Sequence, residues 1–138
     1  MSVVAVSGRS HPLPRTAVVR AAMAVLSAER RVVMLSISFV GHDRMRNLNR
    51  RWKGRRAPTD VLAFPLAGPG QSLAGDVYVC PWMAARNARA LGVPLRQELA
   101  RLVIHGVLHV LGYDHPDASG RAASPMWRRQ ERYLRGLR

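Results

Sequence analysis

Residues 16–29 carry the first clear periodic pattern in the chain. Apolar side chains recur there every three or four positions, at Val18, Val19, Ala22, Met23 and Leu26. This spacing predicts an amphipathic helix from Thr16 to about Glu29 that packs on a sheet. Residues 1–15 contain several turn formers and show no clear period, so they predict only a short strand or an extended arm.

Three stretches have strand character instead. The first runs from Val32 to Val40 and alternates along its length before Gly41, with Val33, Leu35, Ile37 and Phe39 on one side. The second is Thr59–Phe64, closed by Pro65, and the third is Gly75–Cys80. Residues 66–72 between the last two are turn formers, which predicts that these strands pair as a hairpin.

Helical patterns fill most of the remaining chain. Asp43 is a plausible N-cap for a short helix that runs through Trp52, and the segment 53–58 after it is a loop. Pro81 suits the first turn of a helix to about Leu91. The final helix, from about Pro125 to Leu137, is strongly basic on its exposed face.

The longest predicted helix begins near Pro94 and Glu98. Its apolar positions are Leu95, Leu99, Leu102, Val103, Val107 and Leu111. Gly106 lies in its interior, where glycine costs roughly 0.5–1 kcal/mol relative to alanine. Something must therefore approach the backbone closely there, either the sheet or a ligand.

Composition and charge restrict the class of protein. The length of 138 residues predicts a single domain over 1–138. The chain has one cysteine, Cys80, which cannot form an internal disulfide, and this fits a reducing compartment. Its apolar runs are too short to cross a bilayer, and no signal peptide is evident, so we expect a cytoplasmic protein. The net charge of +14, carried almost entirely by arginine, favours nucleic acid over an acidic protein or a membrane surface as partner.

Three of the five histidines lie within the eleven residues from His105 to His115. His105 and His109 are four positions apart, so on a helix they point to the same side. A helix that ends near Leu111 and reverses at Gly112 can return His115 to them. Three neutral imidazoles leave the fourth position of a tetrahedral Zn²⁺ open, which is the catalytic arrangement in which water becomes a nucleophile near neutral pH.

Two other interpretations of these histidines are weaker. A pair four residues apart is, by itself, as consistent with packing as with metal binding, and the third histidine favours the metal. The spacing also matches the metzincin peptidases, but these carry a glutamate directly after the first histidine as the general base. Gly106 stands at that position, which disfavours a peptidase.

The motif H-G-x-L-H-x-x-G-Y-D-H at residues 105–115 resembles the signature of the YbeY-type rRNA maturation factors. Similar segments precede it in the correct order: Leu48-Asn49 with Trp52-Lys53-Gly54, then P-T-D-V-L-A-F-P at 58–65, then G-D-V at 75–77. The resemblance covers roughly residues 32–115 and continues more weakly through Met126, Gln130 and Glu131 of the last helix.

This resemblance implies a fold, an activity and partners. The fold is an α+β domain in which helices cover a small mixed sheet of about four strands, with the metal site on the long central helix and the turn after it. The activity is metal-dependent, single-strand-specific endoribonuclease cleavage in rRNA maturation, at the 3′ end of small-subunit rRNA, and in ribosome quality control. The expected cofactor is one Zn²⁺ or other divalent ion, without a small-molecule cofactor. The expected partners are single-stranded rRNA and the ribosome or its small subunit, and no membrane.

The resemblance also implies roles for residues outside the histidines. Lys53 stands where the family has an arginine thought to meet the RNA phosphate, so we expect a catalytic contact that keeps the charge but lacks a bidentate guanidinium. Arg55 and Arg56 replace a Lys-Asp pair and make the loop a more basic candidate for nucleic-acid binding. Asp114 is expected to orient a ligand histidine by contacting the side of its ring that faces away from the metal.

The general base and the role of the metal stay open at this stage. Asp60 and Asp76 are candidate bases by residue type alone, and each suits a turn or a strand end equally well. A second hypothesis also fits the sequence: a ribosome-associated RNA-binding factor in which the metal is structural and nuclease activity is weak.

Overall fold

The computed structural model describes residues 2–8, 11–66, 73–115, 120, 122 and 124–137. Within them the chain forms four strands and five helices. Their order is β1 (Val3–Ser7), α1 (Arg15–Ala28), β2 (Val33–Phe39), α2 (His42–Lys53), β3 (Val61–Pro65), β4 (Leu73–Val79), α3 (Pro81–Leu91), α4 (Leu95–Val110) and α5 (Pro125–Gly136). The expected α+β fold with a four-stranded mixed sheet is confirmed.

The four strands form one sheet in the order β1-β2-β4-β3. β1, β2 and β4 run parallel, whereas β3 pairs antiparallel with β4. The predicted hairpin between residues 59–64 and 75–80 is therefore confirmed, although most of the predicted turn at 66–72 lies outside the described residues. Of the two alternatives for residues 1–15, the short strand is correct, because β1 pairs with β2 from Val3 to Ser7.

The predicted cap of α2 is wrong. Gly41 occupies the N-cap position with an extended backbone, and its carbonyl accepts the first helical hydrogen bond, from the N–H of Met45. Asp43 lies instead in the first turn, where its carboxylate contacts the imidazole of His42. Glycine is an acceptable N-cap, and an acidic residue in the first turn is stabilised by the helix dipole. The sequence was therefore compatible with a cap at Gly41 as well as at Asp43.

Helix α4 is buried along most of its length. It packs beside α1, α3 and α5 and against β3 and β4. A Cβ atom on Gly106 would lie 2.4 Å from Cγ1 of Val77, and one on Gly75 would lie 2.5 Å from Cγ1 of Val110. Of the two reasons expected for Gly106, contact with the sheet is therefore the correct one. The two glycines bring α4 unusually close to β4.

The other face of the sheet carries a smaller apolar cluster under α2, formed by Val40, Met45, Leu62 and Cys80. This packing holds the C-terminal end of α2 beside β3, where Nζ of Lys53 lies 5.4 Å from the centre of the Phe64 ring. Among the described residues, no helix is both long enough and apolar enough to span a membrane.

Candidate metal centre

The three histidines predicted from the sequence meet at one point. His105 and His109 project from successive turns of α4, and their Nε2 atoms are 3.1 Å apart. Nε2 of His115 lies 3.2 Å from Nε2 of His105. Together the three side chains present one ligand atom each within 4.8 Å of one another, so the cluster could hold a metal ion.

The reversal that returns His115 depends on Gly112. α4 ends at Val110, and Gly112 has φ +101°, a left-handed conformation that a side chain would strain. The N–H of Tyr113 then donates to the carbonyl of Leu108 at 3.0 Å, which closes the end of the helix. The chain turns back within three residues, as the glycine predicted.

The donor set fits a tetrahedral ion. Zinc–nitrogen bonds of about 2.0–2.1 Å at tetrahedral angles separate two ligand nitrogens by roughly 3.3–3.4 Å. The observed separations from Nε2 of His105, 3.1 and 3.2 Å, are close to this value. Nδ1 of His109 faces the carbonyl oxygen of Tyr113 at 3.0 Å, so it carries the proton and leaves the Nε2 lone pair directed at the common point. Lone pairs this close repel each other unless a cation lies among them.

Gln130 on α5 supports His105 and was not recognised from the sequence as a site residue. Its Oε1 atom accepts from Nδ1 of His105 at 2.5 Å, and the side chain is almost fully buried. The amide is oriented because its Nε2 donates to Glu131 at 3.0 Å. Glu131 in turn binds Arg101, which also pairs with Glu98. This chain of contacts fixes both the tautomer and the direction of the His105 ring.

A second group of contacts supports the turn that carries His115, and it too was not recognised from the sequence. The carboxylate of Glu29 accepts hydrogen bonds from the hydroxyls of Tyr113 and Tyr133 and from Arg129. Burial favours the neutral acid, but these three hydrogen bonds and the charge of Arg129 lower the pKa of Glu29 below its usual value. The ionised carboxylate therefore anchors Tyr113, whose carbonyl orients His109.

An open cleft of about 490 Å³ surrounds the histidines. Lys53 and Arg55, two of the residues predicted to contact nucleic acid, line it together with the three histidines. Arg56 does not join them, because it lines a separate depression with Arg46 and Arg50. The loop after α2 thus directs one of its two arginines to the histidines.

Residues 13–138 match the sequence model of the family described as Endoribonuclease YbeY. The chain belongs to the YbeY family. Among curated proteins, it is 37% identical over 102 residues to Endoribonuclease YbeY of Thermotoga sp. (strain RQ2), which covers 74% of this chain and 66% of that protein. It is 44% identical over 89 residues to Endoribonuclease YbeY of Bifidobacterium longum, which covers 59% of this chain and 49% of the relative. The matched regions thus span about half to two thirds of these YbeY proteins.

A solved structure is similar over almost the whole chain. The solution structure of TM1509 from Thermotoga maritima has 28% sequence identity and a TM-score of 0.66, and the match covers 98% of this chain and 89% of that one. The arrangement of sheet and helices described above is therefore shared with a protein whose structure was determined independently.

The two candidate general bases of this YbeY chain lie in different places. Asp60 lines the cleft with His105, and its carboxylate accepts from the side-chain amide of Asn87 at 2.9 Å. Asp76 lies on β4 between two residues whose side-chain positions contact α4, so its own side chain points to the opposite face of the sheet. Asp76 therefore does not point towards α4 and its histidines, whereas Asp60 lines their cleft and remains the candidate base.

Asp114 lines the same cleft but is exposed. Its carboxylate accepts from the backbone N–H of His115 at 2.8 Å. The contact that the structure describes is thus to the backbone of the candidate ligand rather than to the imidazole ring. It restrains where the third histidine leaves the turn.

Proposed function

We propose that this chain is a zinc-dependent endoribonuclease that cleaves single-stranded rRNA. The convergence of three Nε2 atoms in a cleft that also presents Lys53 and Arg55 carries this proposal. The description of the family and of its curated members as endoribonucleases supports it. We extend it to maturation of the 3′ end of small-subunit rRNA, to ribosome quality control and to the cytoplasm, where the small ribosomal subunit is the partner.

The residues divide the chemistry between them. His105, His109 and His115 hold the ion, which supplies Lewis-acid activation of water and of the phosphoryl group. Lys53 and Arg55 add positive charge to the cleft that holds the histidines, where a phosphodiester is attracted and negative charge developing in the transition state is stabilised. Asp60 is the carboxylate beside His105 that can accept a proton within the cleft.

The packing around Gly106 adds to the sequence argument against a metallopeptidase. The general base of such enzymes is a side chain at this position, and here even a Cβ atom would lie 2.4 Å from Val77. The position faces the sheet instead of the cleft. A peptidase mechanism would therefore need its base elsewhere.

Cleavage of a defined RNA tests the proposal. Tag-free, zinc-loaded protein is incubated with a single-stranded rRNA fragment and with the same fragment annealed to its complement. We expect internal cleavage of the single strand and little cleavage of the duplex. The variant with His105, His109 and His115 all changed to alanine should be inactive. Equal activity of that variant would identify a contaminating nuclease and refute the assignment.

The alternative is an RNA-binding factor with a structural zinc, and Lys53 favours it because a lysine cannot clamp a phosphate in two directions. RNA binding should in either case weaken with salt, log K falling by roughly 0.7 per phosphate contact for each unit of log salt concentration. Tight, salt-sensitive binding without metal-dependent cleavage would select the binding factor. If binding did not depend on salt, the charge of +14 would reflect an arginine-rich amino-acid composition and not contacts with RNA phosphates.

A further inference from the structure

A second cavity of about 310 Å³ opens behind His105. It shares Asp60, Val61 and His105 with the histidine cleft, so the two are lobes of one groove. Its other walls come from α3, α4 and α5, and they include Asn87, Glu98, Arg101, Leu102 and Trp127. The proposed hydrolysis uses Asp60 and His105 of the shared wall and gives the rest of this space no role.

We propose that this second lobe, the base lobe, receives one unstacked nucleobase of the RNA, from a nucleotide next to the scissile phosphate. The inference rests on the proposed endoribonuclease function. A volume of about 310 Å³ lies at the small end of the range of roughly 300–1,000 Å³ for ligand sites, which suits a single nucleoside. A strand whose phosphate lies at the histidines has its neighbouring nucleotide at the shared wall.

Trp127 supplies the stacking surface. It lies in the first turn of α5, where its N–H donates to the side chain of the N-cap Ser124 at 3.2 Å, so its backbone is fixed. The side chain is half-buried and lines the lobe. Single-stranded nucleic acids are bound by stacking of splayed bases on aromatic side chains held in this way.

The edge of β3 supplies polar recognition. The carbonyl of Asp60 accepts from the N–H of Cys80 and the N–H of Leu66 donates to the carbonyl of Ala74, both at 2.9 Å, so alternate residues of this strand bond to β4. The N–H and C=O of Val61 therefore point away from β4, towards the open edge where the lobe lies. One donor and one acceptor side by side match the hydrogen-bonding edge of a base.

The charges of the lobe favour a base over a phosphate and an amino group over a carbonyl. Two carboxylates, Asp60 and Glu98, line it against one guanidinium, Arg101. That guanidinium already pairs with Glu98 at 2.5 Å and with Glu131 at 2.9 Å. Carboxylate oxygens accept hydrogen bonds and repel phosphate, so we expect adenine or cytosine, which carry exocyclic amino groups, to be preferred to uracil.

Nucleoside binding tests the lobe without any cleavage. Zinc-loaded, isotope-labelled protein is titrated with adenosine, cytidine, uridine and ribose 5-phosphate while the indole N–H signals of Trp52, Trp82 and Trp127 are followed by NMR. We expect the Trp127 signal to shift saturably with adenosine and cytidine, more weakly with uridine, and not with the sugar phosphate. The signals of Trp52 and Trp82 should stay in place.

Three variants identify the surface that binds. In Trp127→Ala, followed through the side-chain amide of Asn87, nucleoside affinity should fall roughly 5- to 100-fold, whereas Trp127→Phe should retain most of it. Trp82→Ala, on the exposed side of α3, is the matched control and should bind normally. Nucleoside affinity that is unchanged in Trp127→Ala would overturn the base lobe. A parallel titration uses arginine amide as the probe for a basic protein segment. A Trp127 signal that responds to arginine amide and to none of the nucleosides would overturn the base lobe in favour of such a segment.

Cleavage separates the failure of this inference from the failure of the proposed function. Single-stranded substrates carry an abasic site on one or the other side of the cleaved bond. In the wild type one of these should slow single-turnover cleavage about as much as Trp127→Ala does, with no further loss when both changes are combined. Nucleoside binding at Trp127 in a protein that cuts no RNA would support the lobe and refute the nuclease. Cleavage that ignores both abasic sites would refute the lobe alone.

Discussion

The two sides of the histidine cleft are built differently. On the histidine side, His105 is buried, and Gln130 and the carbonyl of Tyr113 orient the imidazoles of His105 and His109 through hydrogen bonds. Asp114 restrains the backbone of His115. On the basic side, Lys53 and Arg55 are exposed and flank Gly54, which ends α2 in a left-handed conformation. Coordination needs lone pairs aimed at one point, whereas a positive charge attracts a phosphate over several ångströms without a fixed direction.

This difference predicts that substitutions on the histidine side act on metal affinity or stability, and that those on the basic side act on RNA. The largest effect should come from a ligand itself. In His109→Ala the cluster loses one of three donors, and we expect stoichiometric zinc in the purified wild type and none in the variant, measured by elemental analysis. His42→Ala, a histidine on α2 outside the cluster, is the matched control. Full zinc content in His109→Ala would break the three-histidine site.

The next largest effect should come from Gln130. In Gln130→Leu the Nδ1–H of His105 loses its buried acceptor, so zinc affinity should fall roughly 10- to 100-fold in a chelator competition. Gln130→Glu keeps an acceptor at the same position and should bind zinc more tightly than Gln130→Leu. If Gln130→Leu matched the wild type, the orientation of His105 would not depend on α5.

Gly106 tests whether the close approach of α4 to the sheet matters for the histidine side. In Gly106→Ala the added Cβ would lie 2.4 Å from Cγ1 of Val77, so we expect a loss of about 1–3 kcal/mol in the free energy of unfolding, measured by urea denaturation. Gly136→Ala is the control, because nothing lies within 4 Å of that Cβ. A more stable Gly106→Ala variant would mean that α4 can move away from β4 at no cost.

Glu29 should show its contribution as a pH dependence. Because its pKa in the folded protein lies below the ordinary value of 4.5, ionised Glu29 stabilises the fold fully above pH 4.5, and this stability is lost as the pH falls through the lowered value. Glu29→Gln removes the ionised acceptor of Tyr113, Tyr133 and Arg129 and should cost about 1–2 kcal/mol near neutral pH. The difference from the wild type should shrink in acid. Parallel stability curves for the two proteins would exclude this account.

The smallest effect should come from the basic side, at Lys53. Lys53→Arg restores a planar guanidinium, and we expect it to raise the single-turnover cleavage rate of single-stranded RNA a few-fold while binding changes less, because a bidentate contact acts mainly on orientation. Lys53→Ala should lower both. Arg56→Ala, in the separate depression, is the matched control for cleavage. If neither Lys53 variant altered cleavage, the basic side would be excluded from the reaction.

The parts of the site that could be predicted from the sequence depend on short-range geometry. The helical period of about 3.6 residues per turn places His105 and His109 on one side, and the left-handed conformation of Gly112 returns His115 to them. Eleven consecutive residues therefore contain all three candidate ligands. The same holds for the elements, whose type followed from their periods. Their ends were less certain, and the cap of α2 was misplaced by two residues because glycine and aspartate both suit the start of a helix.

Tertiary structure alone decided what surrounds the ligands. Gln130 is 25 residues from His105, and Glu29 is 84 residues from Tyr113, so no local pattern connects them. Asp60 and Asp76 looked alike in the sequence, yet the register of β4 and the face covered by α4 turn Asp76 away from the cleft. Whether Arg55 or Arg56 faces the histidines was likewise decided by the path of the loop after Gly54. A side chain's neighbours across the chain depend on how elements pack, and that packing is set by the burial of the whole apolar core rather than by the residues next to it.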